Sequence, residues 1–172
     1  MASFSTLLVP LIKEVLLKEI GDASLTPLNW KRVSANQYKF LVDINDFTEV
    51  VTVDFEEFTE MIHRQYYLPQ KYRNLEKVYN VGFVVSDSET QAAKTDVKTL
   101  LTINSTVVDI IKDFLATTDV DALYIKGSPK DAGSKDISQK SNLYKAFIKK
   151  GLEGIPDYGF DTYKEGFILI KK

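Results

Sequence analysis

The chain has 172 residues and a mass of 19.5 kDa, with 22 Lys and Arg against 24 Asp and Glu, for a formal net charge of −2. That length supports one core of ordinary size, so a single α+β domain over 1–172 is expected. With no cysteine and one histidine, His63, disulfides, thiolate chemistry, cysteine-bound clusters and multi-histidine metal centres are excluded, and no cofactor or metal site is expected.

The segment Met1–Thr6 has no basic run, and Lys13, Glu14, Lys18 and Glu19 interrupt the apolar stretch that follows. This fits neither a signal peptide nor a membrane span, so an intracellular protein with no membrane partner is expected. Residues from about 5 to 20 place Leu8, Leu11, Ile12, Val15 and Leu16 on one helical stripe, ending at Gly21. Such a stripe needs a cover, which makes Leu8 and Leu11 candidate interaction residues.

Trp30–Ser34 reads as a short strand and Ala35–Asn36 as a turn. Tyr38, Phe40, Val42 and Ile44 alternate with Lys39, Leu41, Asp43 and Asn45, and Val51, Val53 and Phe55 alternate with Thr52 and Asp54. That two-residue period predicts an antiparallel meander with one buried face. Phe58, Met61, Ile62 and Gln65 have helical spacing, ended by Tyr66-Tyr67-Leu68-Pro69. Tyr79, Val81, Phe83 and Val85 define the clearest strand, with Gly82 on its opposite side marking a bulge or a close backbone approach.

Ser86–Asp96 is polar and without a helical stripe. Leu100–Ile103 reads as a strand passing through Asn104-Ser105 into a helix over 106–116, with Ser105 as its cap and Val107, Ile110, Ile111, Phe114 and Leu115 as its packing face. Leu123-Tyr124-Ile125 is a short strand and Gly127–Gln139 an exposed loop. Ser141 caps a helix over 142–150, and Tyr158–Tyr163 pairs with Phe167–Ile170. The expected fold is α+β: a mainly antiparallel mixed sheet flanked by helices, with no internal repeat.

Charge is unevenly placed. Lys39–Ile62 carries seven acids and one lysine, whereas Asp121–Lys150 carries seven lysines and three acids. This polarity favours an oriented partner or head-to-tail packing, and near-zero net charge argues against a protein that coats nucleic acid. The acidic run reads as a solvated strand face. His63, beside Arg64, is a possible base without an identifiable nucleophile. The Tyr66-Tyr67 pair suits a protein interface. Lys126, Lys130, Lys135 and Lys140 lie in and around the polar loop; they suit an acidic partner or a phosphate, but no GxxxxGK[ST] loop is present.

The order strand, helix at 106–116, strand at 123–126, helix at 142–150 and terminal strands resembles the second half of the GNAT superfamily of acyl-CoA-dependent N-acyltransferases. The resemblance implies a GNAT-like sheet and transfers one residue, Tyr144 in Asn142-Leu143-Tyr144-Lys145, as proton donor to the leaving thiolate, with His63 or a carboxylate activating the amine. The family's Arg/Gln-x-x-Gly-x-Gly/Ala turn is absent, because Leu100–Val108 contains no glycine. Thr106-Val107-Val108-Asp109-Ile110-Ile111-Lys112-Asp113-Phe114, followed by Ser141-Asn142-Leu143-Tyr144-Lys145-Ala146-Phe147-Ile148, also resembles small proteins of tailed bacteriophages. That likeness implies an accessory or particle-associated protein made in the host cytoplasm.

The sequence therefore leads to a noncatalytic interaction protein that self-associates or binds a protein partner. An acyltransferase and a nucleic-acid accessory protein stand as alternatives.

Overall fold

Period-two alternation builds the sheet. The computed structural model describes residues 26–85, 97–126, 146–163 and 166–172. Strands β1 (Trp30–Ser34), β2 (Gln37–Ile44), β3 (Phe47–Glu57), β4 (Val78–Val85), β5 (Ala122–Lys126), β6 (Tyr158–Tyr163) and β7 (Gly166–Lys171) form one seven-stranded sheet in the order β1-β2-β3-β4-β5-β7-β6. In β2, Tyr38, Phe40, Val42 and Ile44 are buried while Lys39, Leu41 and Asp43 are exposed. Asn45 and Asp46 make the two-residue turn into β3, both with positive φ (49° and 67°), the backbone a tight hairpin with right-handed twist requires. All pairings are antiparallel except β4 with β5, which runs from Val78 opposite Ala122 to Val81 opposite Ile125. The architecture is α+β, with a mixed sheet flanked by helices.

The first face is covered by α2 (Val97–Thr117) and α3 (residues 146–152). The expected strand at Leu100–Ile103 and the expected cap at Ser105 are both incorrect: α2 runs through them. The reason is packing on more than one side, since Leu101, Ile103, Asn104, Val107, Val108, Ile110 and Ile111 are all buried. A helix buried on several faces loses the single-stripe period and reads as a short apolar strand. Near the middle of α2, α3 comes very close. A Cβ at Gly151 would sit 2.9 Å from the Val108 side chain, so only glycine permits this separation.

The edge of the sheet is fastened to one polar stripe of α2. The Leu28 backbone N–H donates to Thr106 Oγ1 at 2.9 Å, Trp30 Nε1 to Asp109 Oδ2 at 2.7 Å, Tyr38 Oη to Asp113 Oδ2 at 2.9 Å and Arg32 Nη1 to Thr117 Oγ1 at 2.9 Å. The four acceptors recur every three or four residues, the spacing that aligns side chains along a helix. Burial, reinforced by the bond to Asp113, pushes the Tyr38 hydroxyl up to about 12. Behind it Trp30, Tyr38, Phe55, Phe114 and Tyr79 form a continuous aromatic series, with Phe55 stacked on Phe114 at 3.8 Å.

Among the described residues, the cover of the second face lies over β4, β5 and β7. Phe58 and Leu68, from the β3–β4 connection, bury Val78, Ala122, Tyr124 and Ile168. That connection holds α1 (Met61–Tyr67), which stops one residue before the extended Leu68 and Pro69, as the Leu-Pro step dictates. The N-terminal helix over 5–20 and the loop over 127–139 lie outside the described residues.

One polar group in this core has no counterpart. Asn104 is fully buried in α2 and neither amide atom is hydrogen-bonded. Asn104→Leu, close in volume and free of that desolvation cost, is expected to raise stability by about 1–3 kcal/mol. A higher urea midpoint with an unchanged m-value is the readout.

Candidate interaction surface

Between β3 and β4 the chain must cross the second face, and it does so with little core of its own. Phe58 turns inward with its backbone N–H bonded to Val78 O at 2.8 Å. The α1 helix that follows has seven residues and buries none of them. A helix this short has no independent stability in water, so something else must hold it.

Arg64 does this from within α1. Its Nε donates to Phe58 O at 2.8 Å, Nη1 to Arg73 O at 3.3 Å and to Leu75 O, and Nη2 to Glu76 O at 2.7 Å. The planar guanidinium thus ties both ends of the connection through backbone carbonyls, a fork that a lysine ammonium cannot reproduce. Arg73 adds bonds to Leu68 O and Gln65 O, both at 3.1 Å. Tyr67 stacks on Phe58 at 5.3 Å and reaches Tyr124 at 5.4 Å. Further along, Tyr72 Oη donates to Asp161 Oδ2 at 2.8 Å, and Lys71 Nζ lies 2.9 Å from the same oxygen. The Lys71 contact first, and the Tyr72 hydroxyl second, hold the Asp161 carboxyl at about 2.

With Arg64 and Tyr67 facing the protein, the other side of α1 faces solvent. Met61 is 52% exposed, Ile62 67% and Tyr66 62%. Ile62 and Tyr66 are four residues apart and therefore neighbours on the helix surface. The predicted Tyr66-Tyr67 pair is thus divided in exposure, Tyr66 displayed and Tyr67 part of the cover, with the two rings in edge contact at 4.8 Å.

His63 is exposed on the same helix, and its ring lies 6.1 Å from that of Phe58. Among the described residues no nucleophile or carboxylate is hydrogen-bonded to it. The acids of the Lys39–Ile62 run are dispersed: Asp43 accepts the Thr48 hydroxyl and Asp54 the Gln37 amide, each at 2.7 Å. Among the described residues no group of three or more His, Cys, Asp or Glu side chains can hold a metal ion. Lys126 ends β5 opposite Gly166. Leu8, Leu11, Lys130, Lys135 and Tyr144 lie outside the described residues. The strand-to-helix connection before α2 is 86–96, a stretch that also has no glycine. No helix among the described residues is long and apolar enough to cross a membrane.

Ile62 and Met61 had a helical spacing in the sequence, but that spacing reads equally well as a core stripe. Arg64 and Asp161 carried no signal, because their partners are backbone carbonyls or residues far along the chain.

Arg64→Ala is expected to cost on the order of 3 kcal/mol, since several charge-assisted bonds go at once, and Arg64→Lys is expected not to restore it. Loss of amide-exchange protection over 64–75 checks this. The Asp161 clamp has a defined pH window. Its folded-state value lies below the ordinary 3.8, so its stabilising contribution is complete above that value and is lost as pH falls towards about 2. Asp161→Asn is therefore expected to flatten the acid limb of a melting-temperature profile between those values.

Comparison of the chain with protein-family models, curated proteins and solved structures gives no match.

Proposed function

We propose that this chain is a noncatalytic interaction protein that forms part of a protein assembly, and that α1 is where it docks a partner protein. One observation carries the reading: Met61, Ile62 and Tyr66 stand exposed on a helix that buries none of its own residues. An element with no fully buried residue, held in place by an arginine and a stacked tyrosine, is organised for what it presents. Tyrosine and large aliphatic side chains on a preordered helix lose little conformational freedom on docking, which makes them effective anchors. The resemblance to phage-encoded proteins supplies the proposed setting, an accessory or component of the particle.

Native mass spectrometry of the protein from its producing cells tests this. A stable complex of defined composition is expected, and Ile62→Asp or Tyr66→Ala is expected to weaken it by about 30-fold or more, the range of an interface hot spot. Circular dichroism should stay unchanged, because neither side chain is buried; Ile62→Asp should also keep the melting temperature, whereas Tyr66→Ala gives up the edge contact of its ring with Tyr67 at 4.8 Å. A complex indifferent to both substitutions removes α1 from the reading, and a chain that is monomeric and partnerless removes the reading itself.

A second reading, an acyl-CoA-dependent N-acyltransferase, is favoured by one observation. The succession β4, α2, β5, α3, β6–β7 has a strand-helix-strand-helix-hairpin order, although its first strand is β4 rather than the Leu100–Ile103 segment on which the GNAT resemblance rests. Saturable acetyl-CoA binding, with acyl transfer to an amine lost in Tyr144→Phe, is the outcome that would raise it above the first.

A further inference from the structure

On the second face, beyond the reach of α1, the sheet formed by β2, β3 and β4 displays Leu41 and Val84, 59% and 61% exposed, with Val50 directly across from Leu41. Their charged surroundings are ordered. Along β2 the residues on this face are Lys39, Leu41 and Asp43, all exposed, so Leu41 has a cation about 7 Å away on one side and an anion about 7 Å away on the other. Lys31 of β1 lies directly across from Lys39. Like charges at directly opposed positions are destabilising within a sheet. Among the described residues neither lysine has a carboxylate partner, and Asp43 bonds only the Thr48 hydroxyl.

We infer that this face binds a second copy of the chain, sheet to sheet, about a two-fold axis passing between the two Leu41 side chains. A two-fold axis in the plane of the interface and across the strands sets β2 antiparallel to its copy. Leu41 then meets Leu41, and Lys39 of each chain meets Asp43 of the other, so the Lys31–Lys39 pair on each side gains an opposed carboxylate. The face is self-complementary in both shape of charge and apolar centre, and sheets pack face to face with their strands nearly aligned. The described N-terminal portion of the chain enters on the other face, where Leu28 bonds Thr106, rather than beside this one. This inference is independent of the α1 reading, since it uses none of that surface.

Sedimentation velocity of the full chain from micromolar to millimolar concentration tests it, with circular dichroism as the folding control. A monomer–dimer equilibrium that weakens with added salt is expected. Lys39→Glu and Asp43→Lys each set two like-charged pairs in the interface, and each is expected to weaken the dimer by on the order of tenfold or more. The double variant restores opposite charges across the axis and is expected to recover dimerisation. Within one chain Lys39 and Asp43 are too far apart to pair, so recovery has no intrachain explanation. A wild-type monomer at every concentration, or a double variant no better than the singles, overturns the inference. Ile62→Asp should dimerise like wild type; loss of the dimer there would move self-association to α1 and overturn it as well.

Discussion

A seven-stranded sheet has two faces to remove from water, and this chain has two described helices on one of them and a short crossing segment on the other. That inequality governs the rest of the molecule. On the α2 side the apolar cover is continuous, from Tyr38 and Phe40 through Phe55 and Val81 to Leu123 and Phe167. Burial there supplies the main folding free energy, because the gain scales with apolar area removed from water. On the opposite side the described residues close the portion over β4, β5 and β7. Beyond it Lys39, Leu41, Asp43, Val50 and Val84 are exposed, and charged or hydroxyl side chains alternate there with a few aliphatic ones.

The crossing segment shows how a chain builds a cover with only a small core beneath it. A seven-residue helix loses more conformational entropy than its few intrahelical bonds return. Arg64 shifts the balance by joining carbonyls on both sides of the loop, so that backbone groups which would otherwise need water are satisfied within the protein. Asp161 fastens the far end of the same segment to β6 through Tyr72 and Lys71. Two polar anchors and one aromatic stack therefore hold an element whose outer side chains Met61 and Ile62 stand in solvent, with the Tyr66 ring edge-on to Tyr67. At the other end of the sheet Asp119 joins Lys77 of the connection to Lys171 of β7, at 2.6 and 2.7 Å, and Asp121 accepts the Glu76 and Lys77 backbone N–H groups.

Strands were legible in the sequence because half-buried strands obey a strict period. Tyr38–Ile44, Val51–Phe55, Tyr79–Val85, Leu123–Ile125 and the terminal pair all lie where alternation or a short apolar run set them. The long helix was only half legible. Its C-terminal half shows Val107, Ile110, Ile111 and Phe114 on one face, but around Leu101, Ile103 and Asn104 the buried arc is wide, and the narrow apolar stripe that marks a helix is lost. Asn104-Ser105, a sensible turn in isolation, is overridden by the helix on both sides. Of the candidate surface, the helical spacing of Met61 and Ile62 was visible, yet whether it faced in or out depended on Arg64 reaching carbonyls up to twelve residues ahead. Spacing along a chain encodes periodicity, and it does not encode which of two faces a distant segment leaves open.

The open part of the second face also explains why charge surrounds its aliphatic centre. An apolar patch on a sheet is a general hazard, since any other apolar surface gains by covering it. Here the approach of an arbitrary apolar surface would strip water from Lys31, Lys39 and Asp43 without supplying opposite charges, and an unpaired desolvated charge costs more than a few buried methyl groups return. Only a surface with an anion where these lysines stand and a cation where Asp43 stands escapes that cost. Charges set in opposite senses about Leu41 make the chain's own two-fold image such a surface, so the residues that deter nonspecific contact are the same ones that select the specific one.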